Sequence, residues 1–466
     1  MTSRGLLALL VCASLQLSGC AAFRSYDNEL TQTGLQLQGG NVDAALALLE
    51  KNNTGENKDL LYFLEKGELL RAKGDLQASQ DAWRSADQAV LVWEDAVRGD
   101  PAKYLGEFGS FLVNDRVRRY EGYDYEKVML TTQMALNQLA LGDFEAARTE
   151  IKKTHEREAL IAELRDKEYL KREEEAEKQG ITAQFKDLQG YPVEALNAPE
   201  VVNLKNSYQS AFSHYLSGFV YEALGEKGLA APGYRKAAEL LPNTPLLEQA
   251  LLDLDSKAPL DIGQSEVLVV VQSGLAPSRA SIRIPLPIPT SNGLIITPLS
   301  FPVIKADTST PRIAGLSLDE QTLSLTQLNS IEAMSRRALR DDMPGIILRT
   351  SVRAATRSVA QKQLNDINPL AGLAVGIASA ITEGADERTW RTLPDNTQIA
   401  RLRLAKGEHR LRLPTAAGST LVTIKVERDY QVIPLRVTGS QVFTSGNAAH
   451  TITPAAGQPL ALANDI

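Results

Sequence analysis

Cysteine and histidine are scarce in this sequence: two Cys and four His in 466 residues. That supply argues against a disulfide framework and against a zinc module, which need several such residues at set spacings. The histidines, His155, His214, His409 and His450, are also scattered along the chain. Basic charge is not in excess, since 50 Lys+Arg face 57 Asp+Glu for a net of −7, and this argues against a nucleic-acid binder. Past the first twenty residues, no apolar run approaches the ~20 residues a membrane-spanning helix requires. Catalytic signatures are missing too. There is no G-x-S-x-G elbow, no P-loop, no H-E-x-x-H and no C-x-x-C, so neither a catalytic residue nor a cofactor or metal site is expected. The carboxylate pairs Asp253/Asp255 and Asp341/Asp342 read as helix-end or capping groups. What is present is globular composition, 43% hydrophobic and 23% charged, in a chain long enough for two or three domains.

Residues 1–20 carry Arg4 and then a short, mainly apolar stretch, the plan of a signal peptide. The sequence Leu17-Ser18-Gly19-Cys20 resembles the lipobox of bacterial lipoproteins. The resemblance implies cleavage before Cys20, acylation of its thiol, and loss of Cys12 with the leader. Ala21 in place of an Asp implies the outer membrane of a Gram-negative cell, on its periplasmic face. Acyl chains at ~0.8 kcal/mol per buried CH₂ would anchor the protein without a spanning helix.

Residues 21–258 are rich in Ala, Leu, Glu, Gln and Lys at helical spacing, with short glycine-containing breaks. Gly218, Tyr221, Ala230, Tyr234, Ala237 and Pro242 occupy the small, aromatic, small, aromatic, small and proline positions of a motif that resembles the tetratricopeptide repeat. Gly218 and Ala230 would let two antiparallel helices approach, Tyr221 and Tyr234 would fill the crevice, and Pro242 would end the second helix. Weaker copies hold Gly67, Gly74, Trp83 and Ala86, then Ala135, Gly142, Phe144 and Ala147. A partial copy holds Gly40, Val42 and Ala45. From Gly40 to Gly74 is 34 residues and from Gly74 to Gly142 is 68, whereas Gly142 to Gly225 is 83, which requires an insertion. That insertion falls on the charged residues 152–189, which read as a long solvated helix continuing the repeat. Tyr104, Phe108, Phe111, Tyr120, Tyr123 and Tyr125 read as core between helices.

From residue 259 the pattern becomes short β-type runs. Residues 267–271 predict a fully buried strand, and 398–404, 409–413, 421–427 and 432–437 predict further strands. The connection 405–408 reads as a hairpin turn. Pro285, Pro287 and Pro289 suggest polyproline II, and Pro298 and Pro302 suggest edge strands. Residues 328–342 predict one helix, with Pro344 starting a second and Asn368-Pro369 a third. The third, containing Gly372 and Gly376, reads as a buried core helix. The expected fold class is therefore α+β, with a tetratricopeptide-like α-solenoid at 21–258 and a β-sandwich-like domain at 259–466. The latter would be of immunoglobulin-like type, with a helical insertion near 327–385.

The net charge conceals an asymmetry. Residues 256–466 hold 22 Lys+Arg and 17 Asp+Glu, which leaves 28 and 40 for residues 1–255, so the halves carry +5 and −12. Arg349, Arg353 and Arg357 share one helix face. Arg401, Arg403, Arg410 and Arg412 alternate with Leu402, Leu404, Leu411 and Leu413, and folding the hairpin would gather the four arginines on one sheet face. They read as a solvated face, as partners of the acidic half, or as contacts for an anionic envelope component.

MPGIILR (343–349), together with ERTWRTLPDNTQIARL (387–402), resembles a family of uncharacterised Gram-negative predicted lipoproteins, over most of the mature chain. The resemblance implies localisation and architecture and names no chemistry. The expected function is a membrane-anchored, non-catalytic scaffold or adaptor for envelope proteins, one form being a regulator of peptidoglycan synthesis. In it, the repeat crevice around Tyr221 and Tyr234 would hold a peptide or helix, and the β half would offer a second surface. The alternatives are a cell-wall hydrolase with an unrecognised site and an accessory factor of outer-membrane export or assembly.

Overall fold

The computed structural model describes residues 25–101, 119–179, 190–256, 258–290, 293–367, 385–446 and 449–455. Within these, the backbone alone is described for 170–179, 286–290, 293–298, 352–367 and 451–455. Cys20, Tyr104, Phe108, Phe111, Gly372 and Gly376 lie outside the described residues.

Helix α1 (Tyr26–Gln38) pairs with α2 (Val42–Asn52), α3 (Leu60–Lys73) with α4 (Leu76–Gly99), and α5 (Asp124–Leu141) with α6 (Phe144–Gln179). After the short α7 (Val193–Leu196) and α8 (Pro199–Val202), α9 (Ala211–Ala223) pairs with α10 (Lys227–Leu240), and α11 (Pro245–Ser256) follows. Each of these hairpins turns at a glycine with positive φ: Gly40 (83°), Gly74 (88°), Gly142 (79°) and Gly225 (77°). That left-handed conformation costs other L-residues ~1–2 kcal/mol. After two of the turns an aspartate caps the next helix, Asp75 accepting from the Ala78 amide at 3.0 Å and Asp143 from that of Ala146 at 2.9 Å.

The repeat continues inside the hairpins. Seven residues before each turn glycine stands Thr33, Gly67, Ala135 or Gly218, and nine after it stands Leu49, Trp83, Ile151 or Tyr234. All eight are buried. Helix α6 is the long second helix of the third hairpin, but its charged sequence is not solvated all round. Leu160, Ile161 and Leu164 join the core, and Arg157 is buried with Asp87 at 2.7 Å and Glu94 at 2.6 Å.

The strands are β1 (Gln264–Ser273), β2 (Ser278–Thr290), β3 (Gly293–Lys305), β4 (Gly315–Leu318), β5 (Gln321–Ser324) and β6 (Thr326–Ser330). After helix α12 (Ile331–Ile367) come β7 (Asn396–Ala405), β8 (Gly407–Thr415), β9 (Gly418–Val426), β10 (Tyr430–Thr438), β11 (Gln441–Thr444) and β12 (Ala449–Ala455). They form one sheet of order β11-β10-β1-β7-β6, a second of order β12-β9-β8-β4-β5, and a ribbon β2-β3. Strand β1 runs parallel to β10 and antiparallel to β7. Its Val267, Val269 and Val271 meet Leu411, Leu413, Val422 and Ile424 of the second sheet. Its Leu268 and Val270 meet helical residues such as Phe219 and Leu136. The first sheet is thus sandwiched between helices and a second sheet, which is why 267–271 is apolar at every position.

Several sequence expectations are corrected. Residues 405–408 do not make a hairpin, because β7 and β8 lie in different sheets and Lys406 donates its amide to Gly263 at 2.7 Å. The leucines force this. Leu402 and Leu404 reach the same core as Leu411 and Leu413 from opposite sheets, so the arginines that alternate with them lie on two separate faces, each turned away from that core. The proline-rich run is a ribbon strand rather than polyproline II, since β2 and β3 pair from Ser278↔Lys305 to Thr290↔Gly293. Pro285 faces Pro298 and Ser281 faces Pro302, so every proline in the ribbon falls on the same alternate set of positions. Those are the non-hydrogen-bonded positions, where a missing N–H removes nothing from the ladder. Residues 331–367 form one helix through Pro344, with Leu339, Met343 and Ile347 buried on either side of it. Asp341 and Asp342 consequently lie within that helix rather than at its end, paired with Arg337 at 3.0 Å and Arg165 at 2.9 Å. No helix among the described residues is long and apolar enough to cross a membrane.

Candidate interaction site

The first helices of the second, third and fourth hairpins, α3, α5 and α9, carry the side chains that would read a partner in the crevice of a repeat array. In this chain they read its own C-terminal half. Helix α5 is buried at every position from Asp124 to Asn137.

Two carboxylates capture the motif at 387–402. Glu65 of α3 accepts the backbone N–H groups of Arg391 at 2.5 Å and Thr392 at 3.1 Å. Glu126 of α5 accepts the Trp390 N–H at 2.7 Å and the Thr389 hydroxyl at 2.9 Å. Glu126 also takes the Tyr123 N–H at 2.9 Å and the Tyr120 hydroxyl. Burial pushes the Glu65 carboxyl up to about 7 and raises that of Glu126 as well, against the hydrogen bonds that favour their charged forms. Trp390 is buried edge-on against Trp83, ring centroids 6.0 Å apart. The segment is therefore held against two repeat helices, through a turn at 391–392, before it becomes β7.

The helix-facing side of the first sheet is mixed: beside Leu268, Val270, Ile399 and Val432, which join the helical core, it carries charged side chains that meet polar groups of the helices. Arg436 of β10 binds Glu68 at 3.0 Å, and Arg71 donates to Gln133 at 2.7 Å. Arg401 of β7 binds Glu222 of α9, Glu266 of β1 at 2.7 Å and the Tyr234 hydroxyl at 2.9 Å. Burial works against the Arg401 charge, yet Tyr234, Tyr215 and Glu222 together raise its pKa well above the ordinary value. Arg403 shares Glu266 at 3.3 Å and donates to the Ala258 carbonyl. Charges so enclosed must be paired and hydrogen-bonded, and here Glu68 and Glu222 of the acidic half and Glu266 of β1 supply the acceptors.

The residues singled out in the sequence thus part company. Tyr234, fully buried, and Tyr221, nearly so, lie inside the fourth hairpin rather than on an open crevice. Arg401 and Arg403 face the helices, while Arg410 and Arg412 lie on the outer face of the second sheet, exposed and half-exposed. Arg349 is half-buried on α12, and the side chains of Arg353 and Arg357 lie outside the described residues. Gly67, Gly74, Trp83, Gly142, Gly218, Ala230 and Ala237 are all in hairpin turns or packed between hairpin helices, and Pro242 stands two residues past α10.

Sequence reasoning missed Glu65 and Glu126, which sit in helical sequence like any solvated glutamate. It also read the histidines as scattered. His155 of α6 and His214 of α9 stack at 5.2 Å, with His214 Nε2 3.0 Å from Glu158. Among the described residues, no group of three His, Cys, Asp or Glu is arranged to hold a metal.

No protein-family model matches the chain, and no curated protein matches it. Among solved structures it is similar to a tetratricopeptide repeat protein from Parabacteroides merdae ATCC 43184, at 13% identity over 50% of this chain and 99% of that one, with a TM-score of 0.14. A score of that size fixes no residue correspondence, so the repeat character rests on the four hairpins themselves.

Proposed function

We propose that this chain is a non-catalytic scaffold of the Gram-negative envelope, lipid-anchored through Cys20 on the periplasmic face of the outer membrane. The repeat hairpins support the binding half of this reading, and the Leu17–Cys20 motif supports the anchor. The observation that carries it is the capture of residues 389–392 by Glu65 and Glu126: the array's peptide-reading face is already engaged in cis. A partner then meets the outer surfaces, of which the Arg410 and Arg412 face suits an anionic envelope component. Regulation of peptidoglycan synthesis is the specific form we favour, because peptidoglycan peptides carry carboxylates.

Site-specific photocrosslinking in cells tests the reading. A crosslinker at Arg412 should give a discrete envelope-protein adduct, and one at the enclosed Tyr221 should give none. Adducts only from Tyr221 would mean that the crevice opens to partners instead. Release of muropeptides from peptidoglycan by the purified protein would replace the scaffold with a hydrolase, and normal processing and anchoring of Cys20→Ser would refute the lipid.

A further inference from the structure

The β2–β3 ribbon is the largest feature that the scaffold reading leaves unused. It pairs over thirteen positions, from Ser278↔Lys305 to Thr290↔Gly293. Its base is core: Ile284, Leu299, Phe301 and Val303 pack with Leu339, Met343 and Ile347 of α12. Beyond that base, the sequence and register differ from an ordinary half-solvated ribbon in three ways.

Charge disappears first. Residues 284–304 contain no Asp, Glu, Lys or Arg, and the run is bounded by Arg283 and Lys305. Both faces are apolar, too. The distal pairs are Leu286↔Thr297, Pro287↔Ile296, Ile288↔Ile295 and Pro289↔Leu294, so alternate positions offer neither face a charged or strongly polar row. A ribbon normally keeps one face for water, and two strands alone cannot bury two apolar faces. The edges are the third difference. Pro285, Pro287 and Pro289 occupy consecutive outward-edge positions of β2, and Pro298 occupies such a position on β3, with Pro302 on the same set in the base. At those sites there is no N–H to leave unsatisfied in an apolar medium, and none to offer a third strand.

We propose that the distal end of this ribbon enters the interfacial region of a lipid bilayer. The β2 edge, stripped of donors at Pro285, Pro287 and Pro289, disfavours docking by strand addition, and two uncharged faces suit an apolar medium better than a second polar protein surface. Four distal pairs at ~3.4 Å per residue extend ~14 Å, enough to pass the headgroups but too short for the ~30 Å hydrocarbon core. The ribbon therefore dips into the surface and does not span it. The inference rests on the proposed anchor, which would hold the chain within reach of a bilayer.

The test uses the full chain, expressed in a Gram-negative host and reconstituted on phosphatidylethanolamine/phosphatidylglycerol vesicles. Ile288→Cys carries an environment-sensitive fluorophore, and Thr423→Cys on the second sheet is the control. Emission at 288 should shift to the blue on adding vesicles and fall about twofold with nitroxide-labelled acyl chains, with no change at 423. Unchanged emission at 288 overturns the proposal. So does emission that is already blue-shifted without vesicles and insensitive to the nitroxide, which would mean the ribbon is covered by protein. The mass of the N-terminal peptide reports acylation of Cys20 separately, so failure of the anchor and failure of the ribbon are distinguishable.

Discussion

Gly67 lies so close to the Trp83 indole that a Cβ at position 67 would overlap the ring, and a Cβ at position 218 would likewise come within 2.5 Å of Tyr234 Cδ1. Both pairs are sixteen residues apart and straddle a turn glycine. In an open helix Gly→Ala stabilises by about 1 kcal/mol. Here the sign reverses, and Gly67→Ala and Gly218→Ala should each destabilise by about 1–3 kcal/mol through overpacking. Gly228→Ala on α10, where nothing lies within 4 Å of the added Cβ, should be neutral or stabilising. Urea denaturation of the three variants checks the contrast.

Arg401 joins the helical half to the sheet through Glu222 and Glu266. Replacing it by Met leaves Glu222 enclosed without its cation and Glu266 with Arg403 alone, at a cost of about 3–5 kcal/mol. Glu222→Gln should recover part of that loss in the double variant. A denaturation double-mutant cycle measures the coupling, and additive effects would show that the two side chains act independently.

The junction should weaken as pH rises. Glu65 and Asp395 are both pushed up to about 7 by burial, above their unfolded values. A raised carboxyl pKa means that the folded state binds the proton more tightly. The stability it contributes is full below the unfolded pKa and lost as pH climbs through about 7. The urea midpoint should therefore fall between pH 5 and pH 8. Glu65→Gln should flatten that slope, whatever its effect on absolute stability.

His155 acts in the opposite direction. Burial, with the neighbouring His214, lowers its pKa below the usual 6.5. Its contribution is present above the unfolded pKa and lost as pH falls through the lower folded value. Thermal melts below pH 6 should show this acid limb, and His155→Phe should reduce it.

Much of the local structure was legible. Gly40, Gly74, Gly142 and Gly225 mark the hairpin turns because only glycine holds a left-handed φ without strain, and 267–271 announced a strand buried on both sides. The arginine face was not legible. Alternation places Arg and Leu on opposite sides of a strand, but says nothing about whether the next strand joins the same sheet. Prolines misled in both directions, since at Pro285–Pro289 and Pro344 the cost depends on which neighbour loses a donor, and that is set by register and packing.

The sequence by itself determined the turns of the helical hairpins, their helix-pair contacts, the buried strand 267–271 and the unequal charge of the two halves. These follow from backbone sterics and periodicity, which act over a few residues. Only the tertiary structure decided that the two halves share a core, that Glu65 and Glu126 hold a segment more than 250 residues away, and that Arg401 is enclosed while Arg410 is exposed. A buried carboxylate and a solvated one are the same letter. What separates them is the donor that long-range packing brings within 3 Å.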